Sequence, residues 1–304
     1  MPDTRVIQVN KQKDGHSISF NAMASPCEIL IQTKDEQLAQ HVGRSVSDEV
    51  WRIENKFSRY NSQSVCSQIN ASGEIATNID KETYLLLNFA EQCYQLSDGL
   101  FDISSGVLRK VWSFNVDSTR QDFPSDSDVS EVLNFVGWEK VTYDQRSITL
   151  PKGMELDFGG IGKEYAVDRA IMIVKQFTDI PILVNLGGDL AVTGPRLNEQ
   201  PWQVAIEHPD CNTFGQRQDM IVALTHGALA TSGDARRYII KDGARYGHIL
   251  NAKTGWPILH APRSITTVAP QCIQAGILAT LALLQGQDAE EFLTEQDIKF
   301  WARR

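Results

Sequence analysis

The chain has 304 residues, a formal net charge of −9 and 42% hydrophobic residues. That length suits one large domain or two intimately joined lobes with a substantial core. The acidic balance excludes nucleic acid as the main partner, since no basic excess exists to neutralise a phosphate backbone, and no segment approaches the roughly 18 continuous apolar residues of a membrane span.

In chain order, residues 17–33 alternate and carry Ile18, Phe20, Ile29 and Ile31, which predicts a hairpin-like pair turning at residues 22–26. Leu38, Val42, Val46, Val50, Ile53 and Phe57 recur at spacings of three and four, predicting an amphipathic helix over 36–57. A second such helix is predicted over 81–96, ending near Ser97-Asp98-Gly99. Residues 115–130 are polar and turn-rich and read as a surface loop; 141–150 reads as a hairpin. A helix is predicted over 167–177, then strands over 182–186, 202–207, 221–225, 238–240 and 264–268, and a buried helix over 275–284. Antiparallel-looking pairs between helices predict an α+β fold over a doubly wound parallel sheet. Residues 1–16 read as an N-terminal extension and 17–304 as a single domain. Five dispersed cysteines without a Cys-x-x-Cys pair fit free thiols better than a disulfide framework. No basic-then-apolar leader opens the sequence, so as it stands a cytoplasmic location is expected, or a periplasmic one if a leader has been removed.

The stretch Leu-Asp-Phe-Gly-Gly-Ile-Gly-Lys at 156–163 is the most informative. Asp157 precedes Gly159, Gly160 and Gly162, with Lys163 directly behind. Glycines let backbone N–H groups approach a ligand, a helix N-terminus favours anions, and a lysine neutralises a phosphate. The spacing is neither a Walker loop nor Gly-x-Gly-x-x-Gly. By itself it is equally a tight turn before a buried helix. Further clusters follow: Asn185-Leu186-Gly187-Gly188-Asp189, Ser232-Gly233-Asp234, and Tyr-Gly-His-Ile-Leu-Asn-Ala-Lys-Thr-Gly-Trp-Pro at 246–257. Upstream stand Met23-Ala24-Ser25-Pro26-Cys27, Phe57-Ser58-Arg59-Tyr60 and Ser-Asp-Gly-Leu-Phe-Asp-Ile at 97–103.

In this order, and from about residue 20 to the C-terminus, these motifs resemble the flavin transferase family, the ApbE-like FAD:protein FMN transferases. The resemblance implies a two-lobed α/β fold with mixed or antiparallel sheets and the flavin between the lobes. It implies FAD and Mg²⁺ as ligands and an acceptor protein with a Thr or Ser hydroxyl as partner. By the same resemblance, Met23, Tyr60, Leu100, Phe101, Asp102, Asp157, Lys163, His248 and Ile249 contact the flavin nucleotide. Lys163 and His248 are the catalytic candidates, one neutralising phosphate and the other assisting proton transfer. Gly160, through its carbonyl, and Thr280 hold the metal. Without the resemblance, Met23 and Tyr60 read as core residues, Asp102 as part of a helix cap, and the Gly187-Gly188-Asp189 segment as a strand turn.

One motif departs from type. The family pattern Ala-Asp-Ala-x-Ala-Thr, whose aspartate and threonine are metal ligands, reads Ala275-Gly276-Ile277-Leu278-Ala279-Thr280 here. Mg²⁺ favours hard anionic oxygens, so a glycine at 276 implies a weakened site, with Asp157 or Asp189 as compensating acids. Two competing functions therefore stand beside transfer: a flavin-binding protein without transferase activity, and an FAD pyrophosphatase.

Overall fold

The computed structural model describes residues 5–114, 123–207, 218–234 and 237–304. The chain opens with β1 (Gln8–Gln12), β2 (Gly15–Ala22) and β3 (Ser25–Ile31), paired as an antiparallel meander. Residues 8–12 of the expected extension are thus a strand on β2. The β2–β3 turn is the two residues Met23 and Ala24, both at positive φ (51° and 56°), the geometry whose twist suits a tight hairpin. Then come α1 (Glu36–Phe57), α2 (Val65–Ala71), β4 (Thr77–Asn78) and α3 (Lys81–Leu96). Asp35 caps α1 by accepting from the Leu38 N–H, and the stripe from Val42 to Phe57 is buried as its periodicity requires.

Of the predicted 115–130 loop, residues 115–122 lie outside those described, while the rest is corrected: 126–133 form α4 (Asp126–Leu133). Its capping box joins Ser125 to Asp128, so Ser/Asp residues that suggest a turn are the start signal of a helix. The predicted hairpin at 141–150 is β5 (Thr142–Tyr143) with β6 (Ser147–Thr149), and β4 completes a small antiparallel sheet. Next are α5 (Gly162–Val174), β7 (Ile182–Leu186), β8 (Asp189–Val192), β9 (Trp202–Glu207), β10 (Gln218–Leu224) and β11 (Gly227–Gly233). The chain finishes with β12 (Tyr238–Lys241), β13 (Ala244–Gly247), β14 (Ser264–Ala269), α6 (Cys272–Leu284), α7 (Ala289–Glu295) and β15 (Phe300–Arg303).

Eight strands make the main sheet, in the order β1-β2-β3-β7-β8-β11-β14-β15. Every pairing among the described residues is antiparallel, so the α+β expectation holds without a parallel component. One face carries α1, α5 and α6. The other is covered at its centre by the β9–β10 hairpin, through Leu183, Leu190, Val192, Trp202, Val204 and Leu229. Ile182 and Val184 point to the helical side and Leu183 to the hairpin side, which is why this central strand reads as continuously apolar.

Helix α5 starts at Gly162, five residues before the sequence-based start, because periodic apolar residues mark a buried face and not the first turn. That shift matters: Lys163 and Glu164 sit in the opening turn of a helix whose N-cap, Ile161, offers no side-chain hydrogen bond.

Candidate functional site

The glycine turn is built by close approach. A side chain on Gly160 would press within 3.2 Å of the Phe101 ring, and one on Gly159 would meet the Asp157 carboxylate at 3.1 Å. Asp157 anchors this end: Oδ1 accepts from the Gly159 N–H (2.9 Å) and Oδ2 from Arg59 Nη1 (2.6 Å). Arg59 in turn donates to the Tyr60 hydroxyl (3.0 Å) and lies 5.1 Å from the Tyr60 ring centre. The Tyr60 ring is held from one side yet remains 83% exposed, so it is a platform on the surface and not the core residue its composition suggests. Three separated segments, 59–60, 101 and 157–160, therefore meet at one turn.

Next to it, Lys163 Nζ donates to Asp189 Oδ2 at 2.5 Å. Asp189, at the start of β8, is almost enclosed, and its Oδ1 accepts from the Thr231 N–H on β11. Burial lowers the affinity of Lys163 for its proton, but the Asp189 carboxylate, helped by Glu164, more than offsets this and holds the ammonium above its ordinary value. Lys163 is thus a fixed charge at the mouth of α5. Beside it, Glu164 is 8% exposed, and among the described residues its Oε2 has no hydrogen-bond partner. Burial first, then the Asp189 charge, raise its carboxyl to about 8.

Gly276 on α6 faces this carboxylate. A Cβ at 276 would lie 2.5 Å from Glu164 Cγ and 2.7 Å from its Oε1. One helical turn on, Thr280 Oγ1 donates to Ser232 Oγ on β11 (3.2 Å). Asp168 accepts from the Cys272 and Ile273 N–H groups (2.8 and 3.0 Å) and so supplies the cap that α6 lacks of its own.

Met23 and its turn adjoin the Gly187-Gly188 turn: Gly187 N–H donates to the Pro26 carbonyl, and a side chain at 187 would strike Ser25. The Met23 N–H donates to Glu54 Oε1 (2.5 Å). His248 follows β13, with its backbone N–H on the Arg237 carbonyl, and its Nδ1 is enclosed without a partner among the described residues. Burial, then the Arg237 charge, lower its pKa, and Lys163 adds to the same effect.

The remaining expected site residues lie as follows. Both Asp102 oxygens are engaged, with the Ser104 N–H (2.7 Å) and the Trp138 N–H (2.9 Å), so of the 100–102 segment it is Phe101 that reaches the turn. Leu100 and Ile249 pack, half-buried, against the main core. Gly160 is exposed at the turn. Sequence reasoning overlooked Arg59, although it stands inside a quoted motif, and Glu164. The signal for Glu164 was its place directly behind Lys163 in the glycine turn.

An eight-stranded antiparallel sheet, three helices on one of its faces and a turn that gathers residues 59–60, 101 and 157–163 define a class. The ApbE family model matches residues 23–301, and the chain belongs to the ApbE family. The FAD:protein FMN transferase of Haemophilus influenzae is 29% identical over 244 residues, 78% of this chain and 70% of that protein. The ApbE protein of Thermotoga maritima aligns in structure with a TM-score of 0.85 and 28% identity, covering 97% of this chain and 94% of that one. The apo flavinyl transferase ApbE of Pseudomonas stutzeri aligns at 0.80 with 25% identity, covering 99% and 92%.

Proposed function

We propose that this protein is an FAD:protein FMN transferase that moves FMN from FAD to a Thr or Ser hydroxyl of an acceptor protein and releases AMP. The observation that carries this reading is the convergence of Tyr60, Phe101, the 157–163 turn and the Lys163–Asp189 pair in an ApbE-family chain. In the proposed reaction the acceptor oxygen attacks the FMN-side phosphorus and forms a phosphodiester. The bond from that phosphorus to the bridging oxygen breaks, and the electron pair leaves with AMP. As in other phosphoryl transfers, positioning and charge stabilisation do most of the work.

The chain's residues divide that work. The Tyr60 face offers a stacking surface for a flat ring system. The opening N–H groups of α5 and the fixed Lys163 ammonium face developing negative charge. His248, kept neutral near pH 7 by burial, has an open Nδ1 lone pair or N–H with which to handle the acceptor hydroxyl proton.

The residues also fit a divalent cation. Glu164 Oε2 is buried and unpartnered, and Thr280 lies one turn beyond Gly276 on the same face of α6. Among the described residues no group of three or more His, Cys, Asp or Glu is arranged to hold a metal. One carboxylate with neutral oxygens and ligand phosphates is a donor set that Mg²⁺ accepts and Zn²⁺ does not favour. Glu164, Thr280 and the Gly160 carbonyl would hold the ion, which when bound neutralises the diphosphate.

Incubating the protein with FAD, Mg²⁺ and a threonine-bearing acceptor tests the function. Flavinylated acceptor is the expected product. Free FMN would mean a pyrophosphatase, and unchanged FAD a binding protein.

A further inference from the structure

We propose that Glu164 is the carboxylate ligand of the divalent cation in this chain, moved from α6 to α5 to replace the acid absent at position 276. The assignment rests on the flavin-transfer reading only for the purpose the cation serves.

Three observations carry it. First, the neighbouring acids are already used. Asp157 holds Arg59 and the Gly159 N–H, Asp189 holds Lys163 and the Thr231 N–H, and Asp168 caps α6 with both oxygens. Glu164 alone presents an enclosed oxygen, Oε2, with no partner among the described residues. An enclosed carboxyl oxygen with no hydrogen-bond partner is a donor left open for a cation.

Second, that side chain ends where an acid at 276 would begin. A Cβ there would overlap Glu164 Cγ at 2.5 Å and Oε1 at 2.7 Å. With Glu164 in this conformation, any side chain at 276 would force the glutamate to move, so the glycine is what lets the carboxylate lie here. Glutamate reaches one methylene further than aspartate, which suits approach from the neighbouring helix.

Third, the third donor is in place. Thr280 follows Gly276 by four residues, so its hydroxyl lies on the helix face that Glu164 covers. In Asp157 and Asp189, the acids first considered as compensating, both oxygens already hold a hydrogen bond.

The test is direct Mn²⁺ binding by the full-length chain, with MnCl₂ alone and no flavin or acceptor, read by the electron paramagnetic resonance signal of free Mn²⁺. Glu164→Gln keeps the shape and should weaken binding by at least ~10-fold, as loss of the anionic ligand of such a site requires. The exchange variant, Glu164→Gly with Gly276→Asp, should return affinity to within about 3-fold of the parent by placing the acid on α6. Gly276→Asp alone crowds Glu164 and should melt below the parent. Unchanged Mn²⁺ affinity in Glu164→Gln, or an exchange variant as weak as that one, overturns the assignment. Should Glu164→Gln not fold, the exchange variant decides by itself. Because the readout needs no transfer, a chain that binds Mn²⁺ through Glu164 yet moves no flavin contradicts the proposed function and leaves this assignment standing.

Discussion

Removing the Lys163 charge tests how the site is held together before any ligand arrives. Lys163 Nζ and Asp189 Oδ2 lie 2.5 Å apart, with side-chain exposures of 31% and 3%. In Lys163→Met the aliphatic stem keeps its packing, but Asp189 is left as an enclosed carboxylate holding only the Thr231 N–H. Breaking a buried pair by deleting one partner costs about 3–5 kcal/mol. The partial exposure of Lys163 and the option for Asp189 to take up a proton bring this to about 2–3 kcal/mol. At about 2–4 °C per kcal/mol for a chain of this size class, melting should fall by about 5–10 °C. Urea unfolding followed by tryptophan fluorescence gives the free energy directly, since Trp51, Trp112, Trp138 and Trp202 are all buried. Asp189→Asn on the Lys163→Met background should cost less than the two single changes added together, by at least about 1 kcal/mol, because the stranded charge is then gone. If Lys163→Met unfolds within about 0.5 kcal/mol of the parent, or if the two changes are additive, the pair is not the element that fixes the α5 mouth against β8.

Other outcomes follow from the same geometry. Tyr60→Ala should leave the melting temperature unchanged, since the ring is 83% exposed, yet weaken FAD binding about 5-fold by calorimetry through loss of a stacking surface; an unchanged Kd removes Tyr60 from the site. FAD should bind at least ~10-fold more tightly than FMN if the site spans from Tyr60 to His248, and equal affinities would contradict that extent. Glu82 tests the scaffold: burial raises its carboxyl, but hydrogen bonds from Arg52, Lys56 and Tyr165 outweigh it and bring the value from 4.5 to about 2. A depressed carboxylate stabilises fully above its unfolded value and loses that contribution as pH falls towards the folded one. The gap in unfolding free energy between parent and Glu82→Gln should therefore be about 1–2 kcal/mol near pH 7, allowing for solvent screening, and close between pH 4.5 and about 2; a gap independent of pH would refute the linkage.

Much of this architecture was legible because it rests on periodicity. The stripe from Val42 to Phe57 marks the buried face of α1, and the alternation around Met23 marks the hairpin, since both patterns are set by which face is buried. The start of α5 was not legible, because a first turn made of Gly162, Lys163 and Glu164 carries no apolar signal. Nor was α4, where Ser125 and Asp128 cap a helix with the residues that elsewhere build turns. At the site, motif order named segments that lie together in the fold, residues 59–60, 101 and 157–163, but not the partners of each side chain. Asp102 stands in a motif, yet serves two backbone N–H groups. Glu164 stands in a motif too, and its meaning comes only from Gly276 across the helix interface, a pairing 112 positions apart in the chain. Steric exclusion between two helices cannot be read from either helix alone.

The central claim is that AMP leaves only as FMN is transferred, and stoichiometry tests it most directly. AMP released from FAD and flavin bound covalently to acceptor should be measured in the same reaction, with Mg²⁺ present and the acceptor threonine either intact or changed to alanine. The account predicts one AMP for each acceptor-bound flavin and no AMP above background with the alanine acceptor. AMP released at the same rate without a competent hydroxyl, accompanied by free FMN, would contradict it.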